Sequence, residues 1–236
     1  MEGIFYIASG EKYYSEAMQA IRRTKKVMPN LPIALCTDWN LETNNKEIDY
    51  MMKLNEPSYN FNDKVKNYIN SPFDRTIFLD TDTYLVDSVE PIFKILDRFD
   101  IVSSHAPIEE DEIIDLPDAF AEMNSGVIAY KKNNKVNRMF EKYMENYLEC
   151  FRYYTQKYND VPPDQPSFRY AIYNSDVQFC FLPHEYNCML DFPCFLSGRV
   201  HILHGHYSNK IMEEKAKVIN AYSGLRLYSP ESGIIY

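Results

Sequence analysis

Thr76-Ile77-Phe78-Leu79-Asp80-Thr81-Asp82-Thr83-Tyr84-Leu85-Val86 joins an apolar, β-prone run to two carboxylates two residues apart. Read as a buried strand, it places Asp80 and Asp82 on one face and turns Thr81 aside, because strand side chains alternate. Two carboxylates held that close repel each other in apolar surroundings, so a cation stands between them or one keeps a proton. Asp oxygens favour a hard divalent ion such as Mg2+ or Mn2+. The plainer alternative is a strand end whose aspartates face water or cap the next helix. The stretch alone leaves both open.

Before it, residues 3–9 form a short apolar run closed by Ser9-Gly10, and residues 13–28 carry Met18 and Ile21 at helical spacing. Residues 32–36 are a second apolar strand. Strand, helix and strand joined by short turns begin a parallel α/β sheet. Residues 39–60 are polar and Asn-rich, with a possible strand at 48–54, and residues 61–69 suit a helix carrying Lys64 and Lys66. After it come a short helix at 91–96, a strand at 100–103, an acidic surface loop at 105–122 and a strand at 124–130. The clearest helix is 134–158, where Val136, Phe140, Tyr143, Tyr147, Phe151 and Tyr154 recur every three to four residues. Residues 164–173 read as a helix with Asp164 near its start, 177–182 and 199–204 as strands, and 209–222 as a closing helix. No internal repeat and no long linker appears, so one α/β domain is expected over 1–236.

The net charge of −9 argues against nucleic acid and anionic membrane as partners. It also means that any phosphate ester must be held by a cation or a few placed lysines. Five cysteines form no CxxC pair and leave an odd count, which fits reduced thiols. No apolar stretch approaches membrane-spanning length and no signal peptide is visible, so a cytoplasmic location is expected.

Taken together, these elements resemble the GT-A-fold glycosyltransferases, and more narrowly the retaining family that contains glycogenin and the bacterial lipopolysaccharide galactosyltransferases. The resemblance runs through nearly the whole chain. Asp80-Thr81-Asp82 matches the family's metal-binding DxD. Tyr13, just past the Ala8-Ser9 strand end, stands where the family stacks a uracil ring, with Tyr14 beside it. Lys64, sixteen positions before Asp80, matches a lysine that contacts donor phosphate. Met123-Asn124-Ser125-Gly126-Val127 is close to the family's FNSGV, which holds donor-sugar hydroxyls, and Asp164-Gln165 matches a DQ pair beside the sugar. The family's third metal ligand is a His followed by Gly and, six positions on, Lys. In Val200-His201-Ile202-Leu203-His204-Gly205-His206 that spacing selects His204, with Lys210 behind it, over His201 and His206. Two features depart from the pattern: Lys210 is followed by Ile211-Met212 where the family has Pro-Trp, and the loop around Lys53 and Asn55 lacks an Arg often found there.

The resemblance implies a single GT-A domain, with residues 1–104 as its nucleotide- and metal-binding half and 105–236 as its donor-sugar and acceptor half. It implies a UDP-sugar donor, a carbohydrate or other small acceptor, and Mn2+, or else Mg2+, held by Asp80, Asp82 and His204. Ala8, Ser9, Tyr13, Lys64, Thr81, Asn124, Ser125, Gly205 and Lys210 would contact the donor, and Asp164 and Gln165 would flank the reaction. Three other readings compete. One is a haloacid-dehalogenase-type phosphatase, whose nucleophile motif is also DxD. Another is a zinc enzyme using His201, His204 and His206, and the third is a nucleotide-sugar binding protein without turnover.

Overall fold

The computed structural model describes residues 1–40, 45–106 and 113–235. In chain order the elements are β1 (Glu2–Ala8), α1 (Gly10–Val27), β2 (Ile33–Thr37), β3 (Tyr50–Lys53), α2 (Asn62–Asn67), β4 (Arg75–Leu79), β5 (Thr83–Leu85) and α3 (Glu90–Ile95). There follow β6 (Ile101–His105), β7 (Met123–Lys131), α4 (Asn134–Tyr158), α5 (Gln165–Tyr173), β8 (Phe179–Leu182), β9 (Cys188–Met189), β10 (Cys194–Leu196), β11 (Ile202–His204), α6 (Asn209–Ile219), β12 (Arg226–Ser229) and β13 (Gly233–Ile235).

A seven-stranded sheet in the order β3-β2-β1-β4-β7-β6-β8 forms the frame. All its strands run the same way except β7, which is antiparallel to both β4 and β6. Helices cover both faces, so the central strands are apolar on both sides. In β1, Ile4, Tyr6 and Ala8 pack with α1 and α3 on one face, while Phe5 and Ile7 pack towards α4 and α5 on the other. The buried stripe of α1, Tyr14, Ala17, Met18, Ile21 and Thr24, follows helical spacing. Helix α4 spans the residues predicted for it, and Asn133 caps it by accepting a hydrogen bond from the Val136 N–H at 2.9 Å. A third apolar cluster joins α6 to β9, β10 and β12.

One expectation is corrected. The run 76–86 is not one strand: β4 ends at Leu79, and the chain turns so that the Thr83 N–H and hydroxyl both bond the Asp80 carbonyl, at 3.2 and 2.7 Å. β5 then leaves the main sheet to pair with β11 in a small sheet β5-β11-β9. Asp80 and Asp82 thus lie in a turn between two sheets, and strand alternation is not what gathers them. The sequence reading also missed β9, β10 and the hairpin β12–β13, whose strands are two to four residues long. Of the acidic loop expected at 105–122, residues 107–112 lie outside the described residues; the part after them, 113–122, is irregular up to the start of β7. Among the described residues no helix is long and apolar enough to cross a membrane.

The α4 cap gives a direct check on this frame: Asn133→Ala should lower unfolding stability by about 1 kcal/mol, measured by urea denaturation, with the α/β circular dichroism spectrum unchanged.

Candidate active site

Open α/β sheets bind ligands beyond the carboxyl ends of their strands. Here a cavity of about 570 Å3 lies at that edge. It receives Ala8 and Ser9 from the end of β1, Asp80, Thr81 and Asp82 from the end of β4, and His204, Gly205 and His206 from the end of β11. Because β7 runs antiparallel, its first residues, not its last, reach the same edge. The Asp80 N–H bonds the Gly126 carbonyl at 2.7 Å, which sets Asn124 and Ser125 beside Asp80. The β5–β11 pairing puts His204 opposite Thr83, and the Gly205 N–H bonds the Asp82 carbonyl at 3.1 Å.

Lys64 crosses the cavity floor from α2. Its Nζ lies 3.0 Å from Asp80 Oδ2, 3.2 Å from Asp164 Oδ2 and 3.3 Å from Ser125 Oγ. Burial pulls the lysine pKa down, but Asp164 and Asp80 outweigh it and hold the ammonium well above its ordinary value. Asp164 also accepts from the buried Tyr143 hydroxyl at 2.6 Å. It stands at the start of α5 but does not cap it with its side chain, which instead lines the cavity.

Asp80, Asp82 and His204 each offer a ligand atom within 4.8 Å of the others. His204 Nε2 is 3.2 Å from Asp82 Oδ1. Burial raises the Asp80 pKa, as does neighbouring Asp82, and Lys64 only partly offsets them. Asp82 is desolvated too, yet His204 drives it far below the carboxylate range. Desolvation opposes the charge on His204, and Asp82 overcomes it to raise the imidazole pKa.

The donor set fits a divalent cation. Around an octahedral ion with bonds of about 2.1 Å, ligand atoms stand about 3 to 4 Å apart, so small side-chain rotations close the cluster. Two carboxylates and an imidazole suit Mn2+ better than Mg2+. Charge also calls for a cation: Asp80 and Asp164 share Lys64, the one lysine or arginine lining the cavity among the described residues, and Asp82 has only the imidazoles of His204 and His206. Gly126 reserves the space. A Cβ there would come within 2.4 Å of His204 Cε1 and 2.7 Å of Asp80 Oδ2.

The structure separates several of the sequence candidates. Tyr13 lines the cavity and is 39% exposed, whereas Tyr14 is 9% exposed and packs in the core. Asn124 and Gln165 meet at 2.6 Å, Nδ2 donating to Oε1. His201 does not join the cluster: its Nδ1 pairs with the Ser88 carbonyl and its ring stacks on Tyr186. That removes the His201-His204-His206 zinc triad. His206 is exposed at the rim, bonded to Glu16 Oε1 at 2.9 Å, with Nε2 3.6 Å from Asp82. Lys210 is exposed on the first turn of α6 and does not line the cavity.

Sequence reasoning missed Glu16, which accepts from the Thr81 hydroxyl. It also missed Asp63, whose buried carboxylate takes the Ser58 and Tyr59 N–H groups at 2.7 Å each and holds Tyr59 at positive φ on the cavity wall. The third omission is Asn187, fully buried behind His204. An Asp early in a helix after a Ser-Tyr-Asn turn was a readable signal for Asp63; nothing local marks the other two.

No protein-family model matches the sequence, and no curated protein matches it. Solved structures do. The galactosyltransferase LgtC, in complex with donor and acceptor sugar analogs, aligns over 80% of this chain and 76% of its own, at 16% identity and a TM-score of 0.55. Mouse xyloside xylosyltransferase 1 aligns over 87% and 98%, at 13% identity and a TM-score of 0.55. The glycosyltransferase GlyE of Streptococcus pneumoniae TIGR4 aligns over 89% of this chain and 56% of its own, at 12% identity and a TM-score of 0.59. The chain has the GT-A fold. Similarity at these identities carries architecture, and the chemistry has to come from the site itself.

Two outcomes follow from the cluster. Gly126→Ala should push His204 and Asp80 apart, lowering Mn2+ affinity at least about tenfold and stability by about 1–3 kcal/mol, read by calorimetric titration and thermal melting. Because the raised pKa of His204 makes protons compete with the ion, Mn2+ affinity should climb with pH through that pKa and fall on acidification; a flat pH profile would exclude His204 as a ligand.

Proposed function

We propose that this chain is a metal-dependent glycosyltransferase that moves a sugar from a nucleotide-diphosphate sugar, a UDP-sugar first, to a carbohydrate or other small acceptor. The observation that carries the reading is the Asp80-Asp82-His204 cluster on the floor of a cavity at the strand ends of a GT-A sheet. LgtC and the xylosyltransferase share this fold and are transferases by name. Retention of anomeric configuration is proposed from the resemblance alone.

Asp80, Asp82 and His204 would hold Mn2+, or Mg2+ in its place. Such an ion neutralises charge on a departing diphosphate. The residues of the chain do the rest. Tyr13 offers an exposed ring for a base to stack on. Ala8 and Ser9, where the chain passes from β1 into α1, bring backbone groups to the nucleotide side of the cavity. Lys64 keeps its positive charge and adds a second centre for developing phosphate charge. Asn124, Ser125 and Asp164 present an amide, a hydroxyl and a carboxylate to sugar hydroxyls, and orient the anomeric carbon for attack. Gln165 lies next to them with its amide oxygen engaged by Asn124 and one N–H directed at Glu122 Oε1, so its second N–H is what it can offer to the substrate. No covalent role is assigned to any residue. Residues 1–104 supply most nucleotide contacts and 105–236 most sugar contacts, with the metal drawing on both.

Melting the protein with UDP, with Mn2+ and with both tests the reading. The pair together should stabilise the wild type by about 2.7 kcal/mol at a hundredfold excess over Kd. Asp80→Ala and Asp82→Ala should each lose that gain and cut UDP-sugar turnover about 100-fold or more. If both variants bind and turn over UDP-sugars normally with metal present, the proposal is wrong.

A further inference from the structure

The imidazole of His204 has two nitrogens, and only an unprotonated Nε2 can take an ion facing Asp82. Which nitrogen carries the proton is set by what the other one meets. Here that question has an answer that begins at a backbone amide three residues into β7. The Gly126 N–H can only donate, and it lies 2.9 Å from the side chain of Asn124, so the atom it meets is Oδ1. Asn187 approaches the same oxygen at 2.8 Å and must therefore present Nδ2; its second Nδ2 proton goes to Ser104 Oγ, also at 2.8 Å. The remaining atom of Asn187, Oδ1, faces His204 Nδ1 at 2.9 Å. An amide oxygen only accepts, so Nδ1 donates; when the ring is neutral its one proton is then on Nδ1, and Nε2, 3.2 Å from Asp82, is the nitrogen open to an ion.

We propose that Asn187 is a positioning residue that passes the direction of the Gly126 N–H through Asn124 to His204, fixing the Nδ1–H tautomer and presenting Nε2 to a cation. Ser104 and Asn187 are fully buried and Asn124 nearly so, so water does not offer the ring a competing partner from behind. The same Asn124 uses Nδ2 on Gln165, which makes the sugar side and the metal side of the cavity two ends of one hydrogen-bonded line. This deepens the metal-dependent reading above and rests on it, but its test needs no sugar donor.

Long-range 15N–1H spectra of the full chain, taken where the imidazole is neutral, report the tautomer directly, and Mn2+ titration without nucleotide reports the consequence. Wild type should show Nδ1–H. Asn187→Leu, which keeps the size and removes both ends of the relay, should shift His204 towards Nε2–H and weaken Mn2+ about 10- to 100-fold. Asn187→Asp keeps an acceptor opposite Nδ1 and should keep the wild-type tautomer, which separates orientation from simple packing. Asn124→Leu leaves the Asn187 amide unanchored and should give a mixture of tautomers. Nε2–H in the wild type overturns the proposal. So does a folded Asn187→Leu that binds Mn2+ within about twofold of wild type. If Asn187→Leu does not fold, the wild-type spectrum and Asn187→Asp decide. A chain with the assigned tautomer and no affinity for UDP would defeat the transferase reading and leave this assignment standing.

Discussion

Among the described residues of the cavity, the buried or half-buried carboxylates of Asp80, Asp82 and Asp164 are matched by one ammonium and the imidazoles beside Asp82. Asp80 and Asp164 both lean on Lys64, and Asp82 relies on His204 and, at the rim, His206. Paired acids in a desolvated site are costly unless each is matched. The match is incomplete, and the pKa displacements of Asp80 upwards and Asp82 downwards are two sides of it. A divalent ion would resolve the imbalance, and under the proposed function it would give the pyrophosphate of a nucleotide sugar a positive surface to meet inside a chain of net charge −9. On that reading, affinity for a polyanion would be conditional on a cation.

The fold supplies this arrangement through one reversed strand. Were β7 parallel to its neighbours, Asn124, Ser125 and Gly126 would start at the far edge of the sheet. Antiparallel, they begin beside Asp80, and the absence of a Cβ at Gly126 lets His204 and Asp80 close over it. The small sheet β5-β11-β9 then carries His204 in from the end of the chain. Residues from four separate stretches converge because two sheets share a single turn at Asp80–Thr83.

Much of this could be read in the sequence, for unequal reasons. Strands buried on both faces are plain apolar runs, and the α4 stripe repeats from Val136 to Tyr154 along a helix of 25 residues, so the frame was legible. Asp80, Asp82, Lys64, Asn124, Asp164, Gln165 and His204 were found by spacing and resemblance, and the cavity does gather them. The route was partly mistaken: strand alternation was invoked for an acidic pair that a turn brings together. Strands of two or three residues such as β9 and β10 leave too little pattern to see. Asn187 and Glu16 escaped because their meaning is a distant partner, His204 or Thr81, and nothing in their neighbours records it. The β12–β13 hairpin did leave a sign, in the Pro230-Glu231-Ser232-Gly233 turn between two short runs.

Anomalous diffraction at the manganese edge, from crystals soaked in Mn2+ and UDP, addresses the central claim most directly. A single strong peak enclosed by Asp80, Asp82 and His204, with diphosphate density against it, is the expected result. Nucleotide and metal density at a place remote from the turn between β4 and β5 would contradict the account.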